Sequence, residues 1–315
     1  MALEFKELTI DVKEKLEPYF KAREILSCEY NFNVMFLWAK YNQTQYAVTD
    51  NYLILSEVIE GKFITLMPLC KEEYFKEAFE DVLAYFQQEG IKFRMYVTDK
   101  LFKDFVKKNY GDKYDIIANR DYFDYLYDGE KLRTLVGKKY GKKRNHLNAF
   151  YSEYEGRYLY RKLVKEDKSD VCKYLRNWKI HKDEISDSLD EELSAICRII
   201  TNLEQLDVKA GGIFVDGKLE AISIGTLTNN GKEAVIHVEK ANDEIRGMYP
   251  LINQLFLINE FPNVEIVNRE EDLGIEGLRK SKLSYEPIKI LKKYSIVEKE
   301  VDESNGYSCY NQSRR

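Results

Sequence analysis

A chain of 315 residues, 44% apolar and 33% charged, suits two globular cores. It has no window near the ~20 uninterrupted apolar residues of a membrane-spanning helix. Its formal net charge is -5, so any polyanion must be held by a local concentration of base, because the overall field repels it. The opening MALEFKELTIDVKEKLEPYF mixes charged and apolar residues and does not read as a signal peptide, so the expected location is cytoplasmic.

Leu3 to Phe20 reads as a short strand or turn followed by a helix ending near Pro18. Cys28 to Tyr41 crowds Tyr30, Phe32, Met35, Phe36 and Trp38 together, the composition of a buried short helix. Strands at Gln45–Thr49, Tyr52–Val58 and Lys62–Pro68, separated by Asp50-Asn51 and Gly61, predict an antiparallel meander. Lys71 to Glu89 places Phe75, Ala78, Phe79, Val82 and Phe86 at helical spacing, and Gly90 ends it. A strand at Ile91–Val97, a helix at Lys100–Asn109 and an extended run at Tyr114–Tyr127 complete this half.

The stretch Lys131 to Tyr151, KLRTLVGKKYGKKRNHLNAFY, is expected to form one helix. Leu132, Leu135, Val136, Tyr140, Leu147 and Tyr151 make its docking face; Lys131, Arg133, Lys138, Lys139, Lys142, Lys143 and Arg144 lie off it with no acid among them. Such a segment holds phosphate groups or is simply a solvated helix face.

Beyond it come a strand at Arg157–Leu163 and helices at Lys168–His181, with Trp178, and Asp190–Leu206. A second meander runs through Gly211–Val215, Leu219–Leu227 and Glu233–Glu239 with turns at Asp216-Gly217 and Asn229-Asn230-Gly231. A helix at Tyr249–Phe261, a strand at Val264–Asn268, a helix at Ile275–Leu283 and one closing strand at Ile288–Val297 follow; the tail from Asp302 is patternless and expected to be loose. The two halves repeat one order of elements, Trp38 matching Trp178, which points to an internal duplication. The expected division is an N-terminal unit 1–130, the basic junction 131–151, a C-terminal, active unit 152–300 and the tail 301–315.

Cys28, Cys70, Cys172, Cys197 and Cys309 contain no CxxC pair, and there are three histidines, so neither a zinc site nor a disulfide framework is signalled and no metal is expected. A nucleophilic Cys with a His partner stays open. In Glu233–Glu239, strict alternation puts Val235, His237 and Glu239 on one face, so His237 and Glu239 are candidate general bases; the alternative is a structural histidine with a carboxylate partner.

Three motifs, GKKYGKKRNHLNAF (137–150), HVEKANDEIRGMYPLINQLF (237–256) and NREEDLGIEGLRKSKLSYEP (268–287), resemble the phosphatidylglycerol lysyltransferase C-terminal-like family of bacterial proteins. The element order is similar to that of tandem GNAT acyltransferases, including the peptidoglycan aminoacyltransferases. The resemblance implies two duplicated α/β (α+β) GNAT-like domains, each a mixed, largely antiparallel sheet flanked by helices. It also implies transfer of an aminoacyl group from aminoacyl-tRNA to an amine or hydroxyl acceptor, a lipid head group or a peptide-like amine.

In that reading Lys138, Lys142, Lys143 and Arg144 contact tRNA phosphates, with Lys139 and Asn145 next in line, and the same charges would suit an anionic lipid head group. The resemblance implies roles for Arg269, Glu270 and Asp272, with Asn268 beside them, although Asp272 is equally placed to cap the following helix. Lys282 stands where relatives carry a lysine before a closing strand. Acyl-CoA is the alternative donor, its pyrophosphate expected at Arg246 and Gly247, where Glu244 would repel it and Tyr249 crowd it. A non-catalytic binder of nucleic acid or anionic lipid is the reading from another class.

Overall fold

The computed structural model describes residues 3–181 and 187–299. The first half comprises β1 (Lys6–Glu7), α1 (Lys13–Phe20), α2 (Phe32–Asn42), β2 (Gln45–Val48), β3 (Leu53–Ile59), β4 (Lys62–Leu66), α3 (Phe75–Gln88), β5 (Arg94–Thr98), α4 (Lys100–Tyr110), β6 (Tyr114–Ile117) and β7 (Asp124–Asp128). Two helices, α5 (Gly129–Thr134) and α6 (Gly141–Tyr154), form the junction. The second half contains β8 (Tyr158–Lys162), α7 (Lys168–His181), α8 (Asp187–Thr201), α9 (Leu203–Leu206), β9 (Lys209–Val215), β10 (Lys218–Thr228), β11 (Glu233–Ala241), α10 (Met248–Glu260), β12 (Ile266–Asn268), α11 (Glu276–Leu283), β13 (Lys289–Leu291) and β14 (Tyr294–Glu298).

These strands build two seven-stranded sheets of the same design. The first runs β1-β2-β3-β4-β5-β14-β6; the second, read from the corresponding edge, runs β8-β9-β10-β11-β12-β7-β13. In each, one internal pair is parallel, β4 with β5 and β11 with β12, and the other pairings are antiparallel. The duplication expected from the order of elements is therefore present strand for strand.

The sheets do not follow the halves of the chain strictly. β7, assigned by the sequence reading to the first unit, lies between β12 and β13 of the second sheet, and β14 lies between β5 and β6 of the first. Each half lends one strand to the other. The closing strand read as Ile288–Val297 is accordingly two strands in different sheets, parted at Lys292-Lys293.

Local chemistry starts and stops the elements as expected. Asn31, Asp99 and Asp128 accept from backbone N–H groups in the first turns of α2, α4 and α5. Asp216 and Gly217, both at positive φ, form the two-residue turn between β9 and β10. On α3, Phe75, Ala78, Phe79, Val82 and Phe86 are buried, and each large side chain contributes about 1.5–3 kcal/mol by leaving water. Pro18, read as the end of a helix, sits inside α1. Cys172 and Cys197 are joined by a disulfide between α7 and α8, which their spacing did not signal.

The basic stretch is not one helix. Leu135 adopts a left-handed conformation after α5, and Gly137 has φ 104°, so the chain turns before α6. Leu132, Leu135, Tyr140 and Leu147 are buried as the docking face requires, whereas Val136, in the turn, is exposed. The tail from Asp302 and Cys309 lie outside the described residues.

Candidate active site

A wide cleft of about 1880 Å³ opens between the two halves. Trp38, Glu57 and Tyr96 come to its wall from the first half, and Trp178, His237 and Glu270 from the second. The matched tryptophans thus face one cavity.

His237 enters through an irregularity in β11. Val238 pairs with Ile224 and Ile236 with the adjacent Gly225, so His237 is an extra residue, a bulge that resets the alternation. His237 and Glu239 therefore do not share a face, contrary to the period-two reading. His237 points toward the first half, while Glu239 turns to α10, accepting from Asn253 at 2.9 Å and from Arg269 at 2.7 Å.

The imidazole is held at both nitrogens. Its Nε2 lies 2.8 Å from Thr226 Oγ1, which accepts from Asn33 Nδ2 at 3.1 Å across the boundary between the halves. Its Nδ1 lies 3.1 Å from Glu270 Oε1. The His237 side chain is 0% exposed and that of Glu270 is 21% exposed, so the carboxyl is the member that meets the cleft.

Burial lowers the His237 pKa to about 3. Burial, with Glu271 adding to it, raises Glu270 well above the ordinary carboxylate range. A protonated Glu270 donates to Nδ1 and leaves the Nε2 proton for Thr226. With Glu270 ionised, the other imidazole tautomer fits: the proton is on Nδ1 and is donated to the carboxylate, and the Thr226 hydroxyl donates to Nε2. The chain of contacts shifts between two complementary patterns without a buried imidazolium.

Glu270 sits on a constrained loop between β12 and α11. Its own φ is 56° and that of Leu273 is 52°, a left-handed region costly for such side chains. Asn268 Oδ1 accepts from the Glu270 amide at 2.8 Å, and β7 pins the loop by backbone bonds from Arg269 N to Tyr125 O and from Tyr125 N to Glu270 O. The strand lent by the first half thereby supports the loop that carries Glu270.

Several expected site residues serve this scaffold instead. Asn268 is fully buried and its Nδ2 donates to Leu26 O and Asp124 Oδ2. Asp272 is also fully buried, accepting from Gly274 N, Arg120, Arg279 and Tyr125 Oη. Burial opposes its ionisation, but Arg279, Tyr125 and Gly274 hold the carboxyl well below its usual range. Lys282 donates to the carbonyls of Arg269 and Glu271, and burial followed by Arg269 lowers its pKa. Arg269 lines the cleft beside its partner Glu239.

The basic residues also separate. Arg144 donates to the carbonyls of Leu135 and Gly137, closing the turn before α6. Lys143 lies 3.8 Å from the centre of the Tyr285 ring, its pKa lowered to about 8 by burial and then by Arg269. Lys139 pairs with Glu286 at 2.6 Å. Lys138, Lys142 and Asn145 are exposed.

The start of α10, where an acyl-CoA pyrophosphate was expected, is covered. Gly247 is buried at φ 92°, and a Cβ there would stand 2.4 Å from the His146 carbonyl oxygen of α6. Arg246 beside it is exposed. α6 packs directly against the start of the helix at that glycine.

A cluster that the sequence did not single out lies at the cleft wall. The buried Lys293 ammonium is 2.5 Å from Glu29, 2.7 Å from Asp124 and 3.5 Å from Glu271, with Cys28 Sγ at 3.9 Å. Burial alone would lower this ammonium, but Asp124, Cys28 and the two glutamates raise it well above its usual range. Cys28, Asp124 and Glu271 have donor atoms close enough together for a metal ion; the Lys293 ammonium reaches all three and neutralises the same charge. Asp124, an acid amid the apolar and aromatic residues of β7, and Lys293, within an apolar run, were the available signals for this cluster; Asn33 and Thr226, behind His237, carried none.

The chain is also similar to known proteins in sequence and in structure. The sequence pattern of "Phosphatidylglycerol lysyltransferase, C-terminal" matches residues 21–297. The chain belongs to that family. This phosphatidylglycerol lysyltransferase C-terminal family member is 25% identical to an uncharacterized protein of Mycoplasmoides gallisepticum over 251 residues, 77% of this chain and 79% of that protein.

A conserved protein of unknown function from Bacteroides thetaiotaomicron superposes with a TM-score of 0.89 at 28% identity, over 95% of this chain and 100% of that one. The structure of L-PGS from Bacillus licheniformis superposes with a TM-score of 0.65 at 15% identity, over 92% and 93%. The family member thus has the tandem GNAT-like fold, two mixed sheets flanked by helices. Among the described residues, no helix is long and apolar enough to cross a membrane.

Proposed function

We propose that this protein transfers an aminoacyl group from aminoacyl-tRNA to an amine or hydroxyl acceptor within the cleft between its two halves. The observation that carries the reading is the Glu270–His237 pair, a partly exposed acid backed by a buried imidazole at 3.1 Å. In its ionised form Glu270 accepts the proton of the attacking acceptor group. His237 and Thr226 exchange hydrogen-bond roles behind it, so both the ionised and the protonated carboxyl have a partner.

The attacking nitrogen or oxygen bonds to the ester carbonyl carbon, and the ester bond to the tRNA ribose oxygen breaks. The proton taken by Glu270 returns to that oxygen as it leaves. No metal is needed for this balance. The cleft, at about 1880 Å³, has room for an aminoacylated end and an acceptor together, and positioning them is a large part of what such a site contributes.

Two features support tRNA over acyl-CoA as donor. The start of α10 has α6 packed against it at Gly247, and the exposed Lys138 and Lys142 form a cationic surface on the junction that suits phosphate groups. Family membership supports aminoacyl transfer as the reaction class. An anionic lipid head group is the acceptor we favour, reached from a membrane surface rather than through a spanning helix.

The test is to incubate the full chain with tRNA charged with labelled amino acids and with vesicles of phosphatidylglycerol and phosphatidylethanolamine. Label should appear in the lipid extract, and Glu270→Gln should abolish it while leaving tRNA binding intact. Label passing only to soluble amines would move the acceptor to a peptide-like molecule. Acetyl-CoA supporting transfer where charged tRNA does not would overturn the reading.

A further inference from the structure

A second, smaller cavity of about 330 Å³ lies between the N-terminal helices and the β10–β11 hairpin, apart from the face of the cleft that Glu270 meets. Its wall includes Arg23, Asn33, Thr226, Leu227 and Glu233. Among the described residues, seven buried side-chain N or O atoms have no hydrogen-bond partner, and three of them, Arg23 Nε, Asn33 Oδ1 and Glu233 Oε1, belong to this wall.

Such atoms are costly unless something satisfies them. Asn33 is 3% exposed and Glu233 is 1% exposed. Each has its other polar atom engaged: Asn33 Nδ2 holds Thr226, and Glu233 Oε2 accepts from Thr228 at 3.1 Å and from Asn229. The arrangement leaves two acceptors and one donor. Arg23 keeps its outer nitrogens on Asp99 and Met67, so Nε is the nitrogen left to donate.

We propose that this cavity binds a small primary amine that also carries an oxygen acceptor, as an amino alcohol or an α-amino acid does. The ammonium sits against Glu233 and the Asn33 carbonyl oxygen, and the oxygen accepts from Arg23. An ammonium supplies three donors to two acceptors, which neither a carboxylate nor a phosphate can do. A carboxyl buried at the wall adds a charge-assisted bond. Thr226 lines the same cavity while its hydroxyl holds His237, so the occupant lies directly behind the candidate catalytic pair.

The proposal stands independently of the transfer reaction, because its test is binding. Isothermal titration of the full chain with ethanolamine and with glycine is the measurement, with acetate and ethylene glycol as controls lacking the amine, at constant ionic strength. At least one of the two amines is expected to bind saturably at one site and neither control to do so.

Glu233→Gln, which keeps the shape and replaces an acceptor by a donor, is expected to weaken binding at least ten-fold. Leu227→Trp obstructs the cavity from an exposed position and is expected to do the same while leaving the unfolding midpoint unchanged, so a folding defect in the first variant would not decide the matter. Absence of saturable binding by either amine, or affinity unchanged in Leu227→Trp, overturns the proposal.

Discussion

Asp124 and Lys293 meet at 2.7 Å where the two halves exchange strands, Asp124 as the first residue of β7 and Lys293 as the residue just before β14. Both are buried. The two crossovers are therefore tied to each other by one ion pair, and Glu29 and Glu271 add two further acids to the same ammonium.

Removing one partner of a buried pair leaves the rest uncompensated, at a cost of about 3–5 kcal/mol. Lys293→Met is accordingly expected to destabilise the protein by about that amount, measured by urea unfolding followed by circular dichroism. A loss below about 1 kcal/mol would mean that the acids neutralise one another by taking up protons and that the lysine is dispensable.

Buried carboxyls set the pH dependence. Burial raises Glu57 to about 7, opposed by the hydrogen bonds from Asn42 and Thr44, and it raises Glu233 to about 7 as well. Between about 4.5 and 7 the folded state keeps protons that the unfolded chain has released, so their stabilising contribution is full below pH 4.5 and is lost as pH rises to 7. His237 works the other way: its pKa, lowered to about 3 by burial, makes stability fall as pH drops from 6.5 toward 3. Glu57→Gln fixes the neutral form. It is expected to match the parent near pH 5 and to exceed it at pH 8 by up to about 3 kcal/mol, and equal stability at pH 8 would show that Glu57 is hydrated enough to ionise freely.

Much of the architecture was legible because it is local. Apolar spacing marked α3 and α10, turn residues marked both meanders, and the repeated order of elements disclosed the duplication. The strand exchange was not legible, since the pairing of β7 with β12 and of β14 with β5 is set by contacts far apart in the chain; Lys292-Lys293 interrupting an apolar run was its local trace. The division of His237 from Glu239 turned on one bulge. Gly225 permits it from the neighbouring strand, where a Cβ would stand 2.7 Å from the Val235 carbonyl oxygen, and a period-two reading has no means to register that. Charge type was visible in 131–151, but whether a given cation was free depended on the turn at Leu135–Gly137 that Arg144 closes.

That turn changes the substitutions that test tRNA binding. Arg144→Ala removes a cation bonded to two backbone carbonyls and is expected to destabilise by about 1.5–3 kcal/mol, so it belongs with the fold. Lys138→Ala with Lys142→Ala removes exposed charge alone. The pair should weaken tRNA binding and make its dependence on salt shallower by roughly one to two units of log–log slope, with the unfolding midpoint unchanged. Filter binding across a salt series reads this directly, and an unaltered slope would place the phosphate contacts elsewhere on the surface.

Gly247 supplies the sharpest test of donor choice. Its φ of 92° is a conformation that disfavours any side chain, and a Cβ would press on the His146 carbonyl, a backbone atom that cannot turn aside. Gly247→Ala is expected to cost about 2–4 kcal/mol, because α6 must withdraw from the start of α10 to admit the methyl group. In the parent protein the same closeness keeps a pyrophosphate away from those N–H groups, so acetyl-CoA should leave the melting temperature unchanged at millimolar concentration. A CoA-dependent rise in the melting temperature of the parent protein would show that α6 moves aside for a nucleotide. The junction helix would then act as a gate over an acyl-CoA site.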